Sequence, residues 1–300
     1  MRRSLTIKVA LSILALALVQ PSSAREVKPT TNYAVGPQYD TTHVYVAPED
    51  VDRFVDSFVA TFGGKSTKQV IATVTPTPSS TSSQLVLTPV GSVSVFGFKT
   101  PIPYPFGHER TGYLVADIDA AVRAAKDAGA GVLVTTFPDP IGRDAVVQWP
   151  GGVSMQLYWH TTVPSYPDLQ TVPENRVYVP AEKVTEFVKG FLKFSKGNIV
   201  SDEAKAPGVE IGRPNDSYRR IRLASKFGKM TVLVTDGRLP YPYGHELTGY
   251  EVTSLDDTLA KAKVAGVTVL VEPYMADRRR AAVVKFPGGY VAEIHAASAP

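Results

Sequence analysis

Among its 300 residues the chain has no cysteine, so no disulfide can brace it and its stability must come from buried cores. At 44% hydrophobic and 20% charged residues, it is long enough to form one large core or two medium ones. That absence also fits an oxidising compartment. Long apolar runs are missing beyond the first two dozen residues, which excludes a membrane-spanning helix from the rest of the chain. An excess of one charge is missing as well. Setting aside Arg2, Arg3 and Lys8 of the leader brings the 32 basic residues almost level with the 28 acidic ones. A phosphate-binding surface needs a clustered positive excess, so nucleic acid is excluded as a partner.

What is present begins with "MRRSLTIKVALSILALALVQPSSA". Three basic residues, an apolar run from Val9 to Val19, and Ser22 and Ala24 ahead of a cleavage point predict a signal peptide over 1–24. The expected protein is exported, periplasmic or secreted, with no membrane attachment after cleavage. Arg2-Arg3 leaves both the general and the twin-arginine export routes open.

The stretch "PYPFGHERTGY" at 103–113 returns as "PYPYGHELTGY" at 240–250, and over 103–158 against 240–295 nearly half of the ungapped positions are identical. "HVYVAPEDVDRFVDSFV" from His43 likewise resembles "RVYVPAEKVTEFVKGFL" from Arg176. The chain is an internal duplication. The expected division is an N-terminal segment 25–39, a first domain 40–165, a linker 166–172 and a second domain 173–300.

Each half divides again. In the first quarter a strand at Val44–Val46 precedes Val51, Phe54, Val55, Phe58, Val59 and Phe62, the spacing of an amphipathic helix that Gly63-Gly64 ends. Three strand-like runs follow, "KQVIATVTP", "QLVLTPV" and "SVSVFGF". The second quarter repeats the plan with a helix from an N-cap at Asp119 to Gly129, the third has the stripe Val184, Phe187, Val188, Phe191 and Leu192, and the fourth has a helix from Asp256 to Gly266. The result is an α+β fold of tandem βαβββ modules. One module leaves a sheet edge and a face uncovered, so two must pair into a curved half-barrel, giving two cups that suit a small ligand.

These units, with "HVYV…DVD" opening one and "FPGGYVAEI" closing another, resemble the vicinal oxygen chelate superfamily, the glyoxalase, bleomycin-resistance and extradiol-dioxygenase group. The resemblance spans nearly the whole chain after the leader and implies the glyoxalase-like fold. It does not choose a reaction, because that fold hosts isomerases, lyases, dioxygenases and metal-free sequestering proteins. It also implies metal ligands on the first and last strands of paired modules, facing into the cup.

Carried over by position, the first-strand ligand is His43 in module one but Arg176 in module three, which no metal would accept. Arg110 and Leu247 stand there in modules two and four, with His108 and His245 two residues upstream and of the same strand parity. The closing-strand carboxylate is Glu293 in module four and Gln156 in module two. If neighbouring modules pair, one cup holds His43, His108 and Gln156, and the other Arg176, His245, Glu293 and His295. If the outer modules pair, one cup gathers His43, His245 and Glu293, a facial set for one divalent ion such as iron, manganese, zinc or nickel. The outer pairing is the expectation adopted.

Simpler readings accompany these. His108 with Glu109 and His245 with Glu246 could hydrogen-bond across a crossover that prolines extend and Gly107 and Gly244 turn. Tyr104, Tyr113, Tyr241 and Tyr250 read as half-buried packing residues, and Arg278–Arg280 as a solvated loop. In "YRRIRL", alternation puts Tyr218, Arg220 and Arg222 on one strand face, either an exposed basic surface or a cup wall suited to a carboxylate or phosphate. Two functions stay open: a metal-dependent lyase, isomerase or dioxygenase acting on a small oxygen-rich or aromatic molecule, and a metal-free binding protein for such a molecule. Four modules in one chain make a monomer the simpler expectation.

Overall fold

A computed structural model of the chain describes residues 33–39 and 41–297; the expected signal peptide lies outside the described residues. The first half runs β1 (Thr42–Val46), α1 (Val51–Phe62), β2 (Lys65–Ser66), β3 (Val70–Ala72), β4 (Thr81–Thr88) and β5 (Gly91–Phe98), then β6 (Thr111–Leu114), α2 (Ile118–Asp127), β7 (Gly131–Pro138), β8 (Gly142–Gln148) and β9 (Ser154–His160). The second half repeats it: β10 (Glu174–Val179), α3 (Val184–Ser195), β11 (Asn198–Pro207), β12 (Ser217–Ser225) and β13 (Gly228–Val234), then β14 (Leu247–Glu251), α4 (Leu255–Val264), β15 (Thr268–Ala276), β16 (Arg279–Lys285) and β17 (Val291–Ala297). The βαβββ plan is present four times, with the second strand of the first module broken into β2 and β3. No helix among the described residues is long and apolar enough to cross a membrane.

Local signals act as the residue types dictate. Val51, Phe54, Val55 and Phe58 form the buried stripe of α1, and Gly63, at φ 78°, ends it where a side chain would be strained. Asp117, not Asp119, caps α2: its carboxylate accepts the Ala120 amide at 2.9 Å. Ser254 does the same for α4.

The strands make two curved sheets, ordered β2-β4-β5-β1-β6-β9-β8-β7 and β11-β12-β13-β10-β14-β17-β16-β15, with β3 on the outer side of β4. In each, the first strands of consecutive modules lie antiparallel, Thr42 opposite Thr111 and Arg176 opposite Leu247. Neighbours therefore pair, and the expected outer pairing is wrong. The physical reason is the crossover written twice: residues 99–110 and 235–246 are short, turn at Gly107 (φ 84°) and Gly244 (φ 90°), and deliver the chain beside the strand that began the preceding module.

The outer modules do meet, through their backs. One core joins α1 and β1 to α4, β14, β16 and β17, and another joins α2, β6 and β9 to α3, β10, β12 and β13. All four helices are thus sandwiched between the convex faces, and the two concave faces point in opposite directions. Where the sheets touch at the middle, Thr42 and Thr248 hydroxyls lie 3.0 Å apart, and Asn175 donates to the Thr41 carbonyl at 3.0 Å. Tyr113 and Tyr250 are fully buried in these cores, whereas Tyr104 and Tyr241 stand 70% and 67% exposed, so none of the four tyrosines is half-buried as expected.

Phe58 of α1 packs its ring 5.5 Å from that of Tyr250 and 5.2 Å from that of Phe286, both of the second half. Phe58→Ala is expected to cost about 3–5 kcal/mol, the usual range for emptying such a site. Because the core is shared, the variant should still unfold in one transition by denaturant titration. Two separated transitions would show that the halves do not depend on each other.

Candidate functional site

Strand alternation decides what each concave face presents. In the first cup β1 contributes His43 and Tyr45, β5 Phe96, and β9 Gln156 and His160, around a cavity of about 90 Å³. A wider hollow of about 310 Å³ at its mouth shares Ser83, Ser94, Ile141 and His160 with it. The His43 ring meets the Phe96 ring edge-on at 5.5 Å and has Nδ1 3.6 Å from the Glu109 carboxylate. Glu109, completely buried, accepts the Tyr45 hydroxyl. Neither His43 Nδ1 nor Glu109 Oε2 has a hydrogen-bond partner, an uncommon state for buried polar atoms.

The repeated "TGY" has a role here. A Cβ at Gly112 would fall 2.3 Å from His43 Nε2, so only glycine leaves room for the imidazole on β6. At its counterpart Gly249 a Cβ would sit 3.3–3.5 Å from His295, Glu293 and Arg176.

The second cup is lined by its own paired charges, around an opening of about 420 Å³ among Glu203, Arg222, Asp277, Arg279 and His295. Arg176, 1% exposed, contacts Glu293 and lies 3.8 Å from Glu210 and 3.9 Å from Glu174. Arg220, also fully buried, pairs with Glu210 and Asp277 and with Glu203 at 2.7 Å. Tyr218 donates to Glu210 at 2.7 Å, Arg222 pairs with Glu203 at 2.8 Å, and Arg279 with Glu174 at 2.8 Å. Burial alone would raise the Glu174 pKa, but the Arg279 and Arg176 cations outweigh it and hold the carboxyl well below its ordinary value. His295 lies 3.1 Å from Glu293, and burial, aided by Arg279, brings its pKa down to about 3.

The trio His43, His245 and Glu293 is therefore not a metal centre. His43 belongs to the first sheet and Glu293 to the second, and His245 is exposed at the crossover. Among the described residues no three His, Asp or Glu side chains converge as ligands. At Glu293 the cation is the Arg176 guanidinium, and in the first cup Asp139, Asp144 and His160 line the cavity of His43 but no third carboxylate or imidazole converges with His43 and Glu109 as a facial set needs, so these residues do not fit the ion. Gln156 does join His43, but His108 is exposed and rests against Tyr104, ring centroids 5.5 Å apart. The parity argument failed there because residues 104–108 form a turn, which breaks strand alternation before β6 begins.

The "YRRIRL" face lines the second cup, so the exposed-surface reading is overturned; its arginines are matched by carboxylates of the chain itself. Arg279 is no solvated loop residue but opens β16 beside Glu174. Sequence reasoning missed Glu174 and Glu210, and it gave Glu109 only a hydrogen bond across the crossover. Glu174 was within reach, since it shares the parity of Arg176 two residues on.

A third hollow, of about 230 Å³, lies between the sheets and is lined by Tyr45, Arg110, Tyr241, Glu246 and Tyr290 among others. Glu246 accepts the Thr111 hydroxyl, and burial raises its pKa to about 8 against the opposing effects of Thr111 and Arg110.

Solved structures were compared with this architecture. A variant of 4-hydroxymandelate synthase from Streptomyces coelicolor is 14% identical with TM-score 0.58, over 91% of this chain and 94% of that one. A 2,3-dioxygenase from Pseudomonas matches at 14% identity and TM-score 0.53, over 90% and 94%. An Mn(II)-bound glyoxalase from Novosphingobium aromaticivorans matches at 14% and 0.53, over 87% and 82%. No family model and no curated protein matches the sequence. The chain shares the glyoxalase-like fold of these structures. It is a four-module form of that fold, with consecutive modules paired.

Two predictions follow from the charges. Arg176→Met leaves the buried Glu293 without its contacting cation, with only Arg279 at 3.5 Å, and should cost about 3–5 kcal/mol; adding Glu293→Gln should recover part of that loss. Equal stability of the parent and Arg176→Met in denaturant would refute the pairing. For Glu246, a raised folded pKa means a stability contribution fully present below the ordinary 4.5 and lost as pH rises through about 8. Glu246→Gln should flatten the decline in stability across that window, and an unchanged slope would contradict the assignment.

Proposed function

We propose that the chain is an exported, monomeric small-molecule binding protein that holds an oxygen-rich aromatic compound in its first cup without a metal ion. One observation carries this reading: the first cup keeps a cavity walled by Tyr45, Phe96 and Phe106 beside convergent polar groups, whereas the opening of about 420 Å³ in the second is lined by Glu203, Arg222, Asp277 and Arg279, charges already held in ion pairs. Phe96 offers an aromatic face, and Gln156, His43 and His160 offer donors and acceptors for hydroxyl or carbonyl oxygens. A few convergent polar groups in a mostly preformed cavity are what orient a small ligand. The metal-dependent enzyme remains the second reading, favoured by the two unpartnered donors His43 Nδ1 and Glu109 Oε2.

Calorimetric titration with neutral phenols and catechols, together with elemental analysis of the purified protein, tests both. The expected result is saturable binding by metal-free protein, weakened about tenfold or more, roughly 1.4 kcal/mol, by His43→Ala and by Gln156→Ala. Stoichiometric bound metal that His43→Ala removes would transfer the assignment to the enzyme reading. Binding indifferent to both substitutions would place the ligand elsewhere.

A further inference from the structure

The duplication lets one half of the molecule serve as a reference for the other. Glu109 and Glu246 are equivalent in sequence, yet Glu109 takes the hydroxyl of Tyr45 from its own module pair, whereas Glu246 takes that of Thr111 from the opposite sheet. Around Glu246 the two halves also differ in kind. Arg110 stands where the second half has Leu247, and Tyr290 where the first half has Val153. These departures converge on the hollow of about 230 Å³ between the sheets.

Arg110 is the unusual group in it. It is half-buried, its guanidinium lies 5.4 Å from the centre of the Tyr45 ring, and among the described residues it forms no ion pair. The two fully buried arginines among the described residues, Arg176 and Arg220, are both matched by carboxylates. A partly desolvated guanidinium that no carboxylate pairs directly is a fork-shaped donor set open to a planar acceptor. Beside it are Tyr241, whose ring is 67% exposed, with Pro242 and the half-buried carboxyl of Glu246.

We infer that the hollow between the sheets is a second binding site, taking a small planar carboxylic acid with its carboxylate on Arg110 and its apolar body among Tyr241, Pro242 and Tyr290. Glu246 keeps its proton at neutral pH through burial and so presents a donor to the acid rather than a repelling charge. His245, at the rim, faces solvent. The site is separate from the first cup, sharing only Tyr45 with it. It does not depend on what that cup binds.

The test uses benzoate as probe on the full mature protein at pH 7, followed by ligand-observed NMR and calorimetry. Benzoate should bind saturably, benzamide at least tenfold more weakly, and acetate more weakly than benzoate because it lacks the ring. Arg110→Leu, which copies the residue of the other half, should weaken benzoate at least tenfold, and Glu246→Gln should leave it within threefold. Tyr241→Ala changes an exposed ring, leaves folding intact, and should weaken benzoate several-fold, so the inference stays testable even if the Arg110 variant misfolds. His43→Ala should leave benzoate binding unchanged, which separates this site from the first cup. Equal binding of benzamide, binding indifferent to Arg110→Leu and Tyr241→Ala, or loss with His43→Ala would overturn the inference.

Discussion

Neither sheet of this protein can bury its helices alone. Each βαβββ module presents an apolar convex face, and the two sheets satisfy it by closing on one shared layer of four helices, α1 against α4 and α2 against α3. Phe54 and Phe58 pack on Phe286 and Tyr290 of the second half, as Phe191 and Phe194 do on Trp149. Area removed from water on this scale is the main favourable contribution to folding. Because the backs are joined, the concave faces must open away from each other.

That arrangement gives the concave faces different fates from the same scaffold. Strand alternation sends the residues that the core rejects into the cups, and a buried charge there survives only with a partner. In the second cup Arg176, Arg220 and Arg279 found Glu174, Glu203, Glu210 and Glu293, so the interior is lined by paired charge. In the first cup His43, Gln156 and His160 are spread around aromatic rings, and space remains. Two copies of one fold thus hold an ion-paired interior and an aromatic-walled cavity, and the difference lies in a few inward-facing positions. The same kind of divergence, Arg110 against Leu247 and Tyr290 against Val153, shapes the hollow at the junction.

Much of this was legible before any coordinates. The four modules and the helix stripes of α1 and α3 follow from the internal repeat and from periods of 3.6 and 2 read along the chain, and the family resemblance implied the inward placing of His43, Gln156, Arg176 and Glu293. The roles of His108 and His245 were not legible, because a turn interrupts the strand period just before β6 and β14, and the glutamates beside them point inward instead. Nor could Glu210 be assigned. It reaches Arg220 from a short helical turn at 208–211, whose position no periodicity describes.

The sequence by itself determined the repeated module, its apolar faces and which side chains alternate toward a cup, because these depend on neighbours a few residues apart. Only the tertiary structure decided which modules share a sheet, and hence that His43 and Glu293 never meet. Module pairing depends on how a short crossover turns and on which convex faces fit together, and those contacts join residues far apart in the chain. It also decided that a guanidinium, rather than an ion, neutralises Glu293, since charge matching is settled by what lies nearby in space.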